Sequence, residues 1–500
     1  MRGTVNIPTR VDSYRTRSLF LCLAPRVLER WPEVAKMVTS RMVGFVGLAL
    51  LGACSGREQV PASDPAPVAA PPVASAPPLL PPDTVEPGGS GPQYPGTGFR
   101  VHEWGTNTLV VGSDGSMQRG LQHEEEDLPS FVYDRRREEL QEEFAVKMET
   151  PVTYFYSDRP LTANVTVNFP KGIFSQWYPA VQSFSPATYK GRGDPVLDTA
   201  YPFSHPTCRD QLSRVENGSL AWGSVDVLAR GGAAPTLTEA SLDRYTWSHA
   251  RAVDANALHV QTTQGAQDER FLFYRGLGNF PIDVTVAAQQ GAAGLDGGLL
   301  LTNRDPARPV GAVFVLRVEQ DKAAFVVQPS GIAPSGALVR SAPVANQPLD
   351  VYAADLAKTM VAELDKAGLY HDESVAMVKT WARQWFRTPG VRVLYLAPQA
   401  WTDAQIPLTI TPRPAELVRV MVIRVEAITP LLEQADLAAV QQLGAVGTTQ
   451  STGSAHFTSL GRFAEPRLRR AIALTKATPP AANALLGTLA GADVSGRSGE

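Results

Sequence analysis

The stretch VFVLRVEQDKAAFVVQ, Val313–Gln328, decides the class of fold. Two runs rich in Val, Phe and Leu flank the polar Gln320-Asp321-Lys322, too short and too β-branched for helices, so they predict an antiparallel hairpin of Val313–Glu319 and Ala323–Gln328. The same signature recurs on both sides. Pro151–Tyr156, Asn164–Phe169, Leu258–Thr263, Arg270–Tyr274, Ile282–Ala287 and Val310–Val318 are short apolar runs bounded by Gly, Pro, Asn or Asp, and they read as strands. Strands in series without helices between them predict an antiparallel sandwich over residues 99–345.

A helical hairpin follows. Leu356, Met360 and Leu364 recur every fourth residue, Gly368 supplies a stop, and Asp372 is placed to cap a second helix through Phe386 with Val378, Trp381 and Trp385 on its apolar face. Strands resume at Val391–Leu396, Pro407–Thr411 and Leu417–Val425, then helices at Leu431–Leu443 and Arg467–Leu474. The expected class is mainly β with α, α+β, with an α/β region at 346–475 packed on the sandwich and a flexible Ala/Gly/Ser-rich tail at 476–500.

The first hundred residues carry an address. Arg41 precedes an apolar run, Val43–Ala53, too short to cross a bilayer but matched to a signal peptide, and the run closes on Leu51-Gly52-Ala53-Cys54. This ending resembles the lipobox of bacterial lipoproteins, which implies lipidation at Cys54 and a membrane partner through that anchor. Residues 1–53 then form a signal region, with Met37 or Met42 a better start than Met1. Residues 54–98 read as the lipidated Cys and a disordered Pro/Ala-rich tether. The expected location is the cell envelope: outer membrane or periplasm-facing.

Composition bounds the rest. With 500 residues, 44% apolar and 19% charged, the chain buries a large core. Residues 1–53 hold 8 of 46 basic and 3 of 49 acidic residues, leaving 38 against 46, or −8, which argues against a nucleic-acid partner. Of Cys22, Cys54 and Cys208, only Cys208 stays in the exported body as a free thiol, so no internal disulfide forms there. His205-Pro206-Thr207-Cys208 could supply half a metal site, but no second pair of ligands stands nearby, and no metal or other cofactor is expected.

Signatures of common chemistries are missing: no G-x-S-x-G, H-E-x-x-H, Walker A loop, dinucleotide Gly fingerprint, EF-hand loop or C-x-x-C-H occurs. His102-Glu103 is not a zincin pair, because position 106 is Thr, and His123-Glu124-Glu125-Glu126-Asp127 opens a charge-rich stretch that reads as a solvated face. What remains is a set of polar residues in apolar strands. Glu103 alternates with Phe99 and Val101, and Arg275 with Phe271 and Phe273, so each needs a partner; Arg275 is expected to neutralise Glu103 first and Glu149 second. His102, Glu103, Lys147, Glu149, Tyr274 and Arg275 form the candidate polar site, either a structural network or, for Glu103 and Glu149, a general acid and base. Lys379, Arg383 and Arg387 lie four apart beside Trp381 and Trp385, a candidate surface for a glycan or envelope protein, or a plain solvent face.

Val101-His102-Glu103-Trp104-Gly105-Thr106, Lys147-Met148-Glu149-Thr150-Pro151-Val152, Phe271-Leu272-Phe273-Tyr274-Arg275-Gly276, Met377-Val378-Lys379-Thr380-Trp381 and Val418-Arg419-Val420-Met421-Val422 carry a resemblance. They resemble the landmarks of an uncharacterised family of predicted exported bacterial proteins with a V-H-E-W-G-T opening motif, over residues 99–465. The chain departs from it with Asn107 in place of Phe and Ile423 in place of Gly. The resemblance implies export and one recurring architecture, and no activity. Two readings follow: a non-catalytic envelope lipoprotein that binds a partner or glycan, and a secreted polysaccharide hydrolase using Glu103 and Glu149 with His102 nearby.

Overall fold

A computed structural model describes residues 86–124, 128–129, 131–134, 144–185, 216–231, 246–262, 265–291, 296–443 and 452–495, and Pro77–Glu500 forms one compact unit. Its first strands are β1 (Arg100–Val111), β2 (Met117–Gln118), β3 (Tyr133–Asp134), β4 (Val146–Tyr156), β5 (Leu161–Phe169), β6 (Gly172–Tyr178) and β7 (Ser183–Ser185). Next come β8 (Gly218–Val227), β9 (Leu258–Thr262), β10 (Gly265–Glu269), β11 (Phe271–Gly278), β12 (Val284–Gln290) and β13 (Asp296–Asn303). The later strands are β14 (Val313–Val318), β15 (Lys322–Gln328), β16 (Ala337–Ser341), β17 (Gln347–Pro348), β18 (Gly390–Ala397), β19 (Leu408–Thr411) and β20 (Glu416–Ala427). The helices are α1 (Leu349–Lys366), α2 (His371–Ala382), α3 (Gln399–Gln405), α4 (Pro430–Leu443), α5 (Thr452–Thr458), α6 (Ala464–Leu474) and α7 (Pro480–Ser495). The fold is α+β, mainly β.

Eleven strands make the central sheet, in the order β17-β15-β14-β18-β20-β1-β4-β11-β6-β3 with β2 beside β1. The β14–β15 hairpin forms in the expected register, Val313 opposite Gln328. Each pairing in this sheet is antiparallel except one: β1 and β20 run parallel from Arg100↔Glu416 to Val111↔Ala427. Both strands are buried at nearly every position, as parallel strands covered on both faces are, although each carries charged residues inside the sheet. The seam joins two antiparallel halves, and a division at residue 345 does not follow the sheet, since β18 and β20 complete its centre.

The sheet is the middle of three layers. One face packs on the smaller sheets β10-β9-β8-β5-β19 and β12-β13-β16 through Phe155, Val165, Trp222, Leu258, Val286 and Ile423. The other packs on α1 and α2 through Trp104, Tyr154, Phe314, Leu356, Met360 and Trp385. The fourfold spacing of α1 becomes a fully buried stripe, with Leu356, Met360 and Leu364 each at 0% exposure. Two carboxylates serve the start of α2: Glu373 reaches back to accept from the Tyr370 N–H at 2.7 Å, and Asp372 accepts from the Glu373 N–H at 3.0 Å and, with its other oxygen, from the Asp254 N–H.

Two segments expected to be loose are ordered. The end of the tether, residues 86–98, docks on α2: Pro87 is buried, Lys379 donates to Glu86 at 2.7 Å, the His371 N–H donates to the Pro92 carbonyl, and Tyr94 stacks on Tyr156 with ring centres 5.5 Å apart. The tail forms α7, whose Ala482 is buried and whose Leu485, Leu486 and Leu489 pack with α4 and α6. Its Ala and Leu content favours helix once a neighbouring apolar face is present.

Candidate functional site

The polar residues sort by the face of the sheet on which alternation puts them. Glu103 on β1 pairs across β20 with Arg419, its register partner in the parallel seam. Arg419 donates through Nε and Nη2 to Glu103 Oε1 at 2.9 and 2.6 Å, and Tyr274 and Thr153 donate to Oε2 at 2.7 and 2.9 Å. Arg419 Nη1 reaches the Ile406 carbonyl and Asp403 at 2.7 and 2.9 Å. Burial works against the charge on Arg419, but Glu103 more than offsets it and holds the guanidinium above its usual value; burial and Glu103 together push the Tyr274 hydroxyl far up. Arg275 is therefore not the partner of Glu103. Thr153 stands opposite both Glu103 and Leu272, so Leu272 and Tyr274 share the Glu103 face and Arg275 points to the other.

On that helix face, three neighbouring pairings break register at one level. Gly105 of β1 faces the extra residues Thr150 and Pro151 of β4, β11 shifts between Phe273 and Gly276, and the β11–β6 pairing shifts between Arg275 and Gly276. Such bulges re-aim side chains, and here they gather Lys147, Glu149, Thr150 and Arg275. Thr150 takes φ 48°, a strained conformation for a β-branched residue. Arg275 donates to Glu124 at 2.9 Å, and Lys147 donates to the same carboxylate at 2.9 Å and to the His123 carbonyl at 2.6 Å. Glu149 accepts from Arg462 and Thr108, both at 2.6 Å. Burial alone would raise the Glu149 carboxyl, yet Arg462, then Lys147 and Arg275, hold it below the ordinary range; burial lowers Lys147, which Glu124 and Glu149 only partly restore. The polar row continues along β20 and β18, where Arg424 and Arg392 both donate to Glu426.

A small cavity opens into this row, lined by Glu124, Glu149, Thr150, Arg275, Trp381 and Gln384. Among the described residues, Thr150 Oγ1, Gln384 Oε1, Trp381 Nε1 and Arg275 Nε are buried without a hydrogen-bond partner. The structure thus brings Lys147, Glu149, Arg275 and Trp381 near one another and sends Glu103 and Tyr274 to the opposite layer.

His102 joins neither group. Its Nδ1 lies 2.8 Å from Glu373, its ring packs 4.2 Å from that of Tyr370, and Glu373 also accepts from Tyr156 at 2.7 Å, so it ties β1 and β4 to α2. The expected basic binding face is corrected: Trp381 and Trp385 are 4% and 0% exposed and stack on each other inside the core, while Lys379 pairs with Glu86 and Arg387 with Asp350. Only Arg383 of that stripe stays exposed without a partner among the described residues. Cys54, Cys208 and the acidic residues 125–127 lie outside the described residues. Among the described residues no cluster of His, Cys, Asp and Glu gathers as a cation site would, and no helix is long and apolar enough to cross a membrane.

A surface cleft of about 670 Å³ lies between β19 and the start of β20, lined by Gln399, Asp403, Leu408, Ile410, Arg413 and Leu417. Asp403, with 47% of its side chain exposed, links this cleft to the Glu103–Arg419 pair beneath it.

No family model matches the chain, and no curated protein matches it. Among solved structures, the Fcho1 Mu homology domain of Danio rerio with a bound Eps15 peptide is similar at 8% identity, over 66% of this chain and 96% of that one, with a TM-score of 0.23. At that score the likeness carries no argument about fold or function.

Several residues that build these sites stood unremarked in the sequence. Arg419 in Val418-Arg419-Val420, Arg424 in Ile423-Arg424-Val425 and Arg392 in Val391-Arg392-Val393 each interrupt an apolar run, the same signal that singled out Glu103 and Arg275. Glu124, Gln384 and Arg462 had no such mark, because none lies in an apolar strand.

Proposed function

We propose that the chain is an exported lipoprotein, anchored in the cell envelope through Cys54, whose folded body binds a partner rather than performing chemistry. The observation that carries the second half is the separation of the candidate carboxylates. Glu103 and Glu149 face opposite layers of the sheet, at 1% and 2% exposure, each bonded to its own arginine. A hydrolytic pair needs one protonated and one ionised carboxyl converging on the same bond. Glu149, held ionised by Arg462, can accept hydrogen bonds but is a poor proton donor. The signal-like run ending in Leu51-Gly52-Ala53-Cys54, and the resemblance to predicted exported proteins, support the anchor.

Membrane fractionation tests the anchor: Cys54→Ser should move the protein from the membrane pellet to the soluble envelope fraction, and unchanged pelleting would overturn it. Glycan-array and hydrolysis assays on the folded body test the rest. The strained Thr150 beside Glu149 and Glu124 is the one feature that favours catalysis. Turnover of a polysaccharide that is lost in Glu149→Gln would establish the second reading.

A further inference from the structure

The exposed edge of β19 is arranged to take another strand. Its residues pair with β5 in the register Leu408↔Val167 to Thr411↔Asn164. The Asn168 N–H donates to the Pro407 carbonyl at 2.9 Å, which fixes the alternation of the ladder: Thr409 and Thr411 exchange bonds with Thr166 and Asn164, and Leu408 and Ile410 do not. The N–H and C=O groups of Leu408 and Ile410 therefore point away from β5, toward the cleft, and among the described residues β19 pairs with no further strand. Across the cleft the comparable edge of β20 is already covered, because the Gln399 side chain donates to the Leu417 carbonyl and accepts from the Arg419 N–H, both at 3.1 Å. One wall is closed by a side chain that imitates a strand. The other is left open.

From this geometry we infer that the cleft binds an extended peptide, which adds to β19 through the outward groups of Leu408 and Ile410 and places an acidic side chain on Arg413. The backbone groups, two residues apart, supply the two-point ladder that strand addition uses. Charge decides the side chain: Asp403 is already bonded to Arg419, whereas Arg413 is exposed with no partner among the described residues. Length decides the class of partner. β19 offers only two outward-facing residues, with Pro407 before it and Pro412 and Pro414 after it, and prolines at a short edge prevent pairing with a whole second sheet. A second copy of this chain is thereby disfavoured.

The inference rests on the body being a binding module, and its test separates the two. A displayed library of random dodecapeptides is selected on the folded body, and affinities of the recovered peptides are measured by calorimetry. They should share an acidic residue and lose at least tenfold in affinity when the alternate peptide amides facing β19 are N-methylated. Leu408→Pro removes an outward N–H without touching a bond to β5 and should weaken binding at least tenfold. Arg413→Glu, on the exposed rim, should do the same and be rescued by peptides with Lys in place of the acidic residue. Binders indifferent to both substitutions, or no binders at all, would overturn the inference. Glycan binding in the absence of peptide binding would sink it while leaving the binding module intact.

Discussion

Glu103 and Glu149 are carried by neighbouring strands yet belong to different layers, and the protein matches each with a different arginine. For Glu149 this has a consequence in pH. Burial tends to raise its carboxyl, and Arg462 with Lys147 and Arg275 reverses that; Glu426 is held down in the same way by Arg392 and Arg424. A carboxyl whose folded value lies below its unfolded one contributes stability in full above the ordinary Glu range near pH 4, and loses it as pH falls through the lower folded value. Arg462→Met removes the largest favourable influence on Glu149 and leaves Glu426 with both of its arginines. The unfolding free energy of the variant should lie furthest below that of the parent at pH 7, and the gap should narrow on acidification to pH 3. Glu269, which burial pushes up, acts in the opposite sense but equally in both proteins. A gap constant across that range would show that Arg462 does not hold Glu149 ionised. Alternation revealed which of these charges needed partners, but not which partners they had. Arg275 and Glu103 each followed the rule, on opposite faces.

The three aligned register breaks set the level at which polar side chains enter the helix-facing layer. Gly105 is required there because a Cβ would come within 2.9 Å of the Pro151 Cα, a backbone atom that cannot turn aside. Gly105→Ala should therefore cost about 1–3 kcal/mol. Thr150→Gly should stabilise by about 1 kcal/mol, since it relieves a left-handed β-branched residue and removes a buried hydroxyl without a partner. Urea unfolding of both variants checks this, and a neutral Gly105→Ala with a destabilising Thr150→Gly would contradict the bulge geometry. Strands such as β14, β15 and β18 were legible as short runs rich in Val, Phe and Leu bounded by polar or turn residues, and helix α1 because apolar residues recur at nearly every fourth position. The bulges were not. An inserted residue looks locally like ordinary strand, and only the partner strands reveal the slip. The tail escaped for a related reason: α7 has little polar contrast around its circumference, and becomes a helix against α4 and α6.

At the scale of the molecule, the two antiparallel halves of the sheet meet only along β1 and β20, strands more than 300 residues apart in the chain. Glu103 and Arg419 lie within that seam as register partners, both buried, so Glu103 of the conspicuous Val-His-Glu-Trp stretch ties the two halves together. Nothing local in the sequence identifies two such distant residues as neighbours, which is why the expected partner of Glu103 was a nearer strand. The most direct measurement is a double-mutant cycle on unfolding free energies with Glu103→Gln, Arg419→Met and the pair. Each single change should cost about 3–5 kcal/mol, and the double should fall short of the sum by about 2 kcal/mol. Glu103→Gln combined with Arg275→Met should be additive. Additivity in the Arg419 cycle, with coupling in the Arg275 cycle instead, would contradict the seam and return Glu103 to the cluster around Glu149.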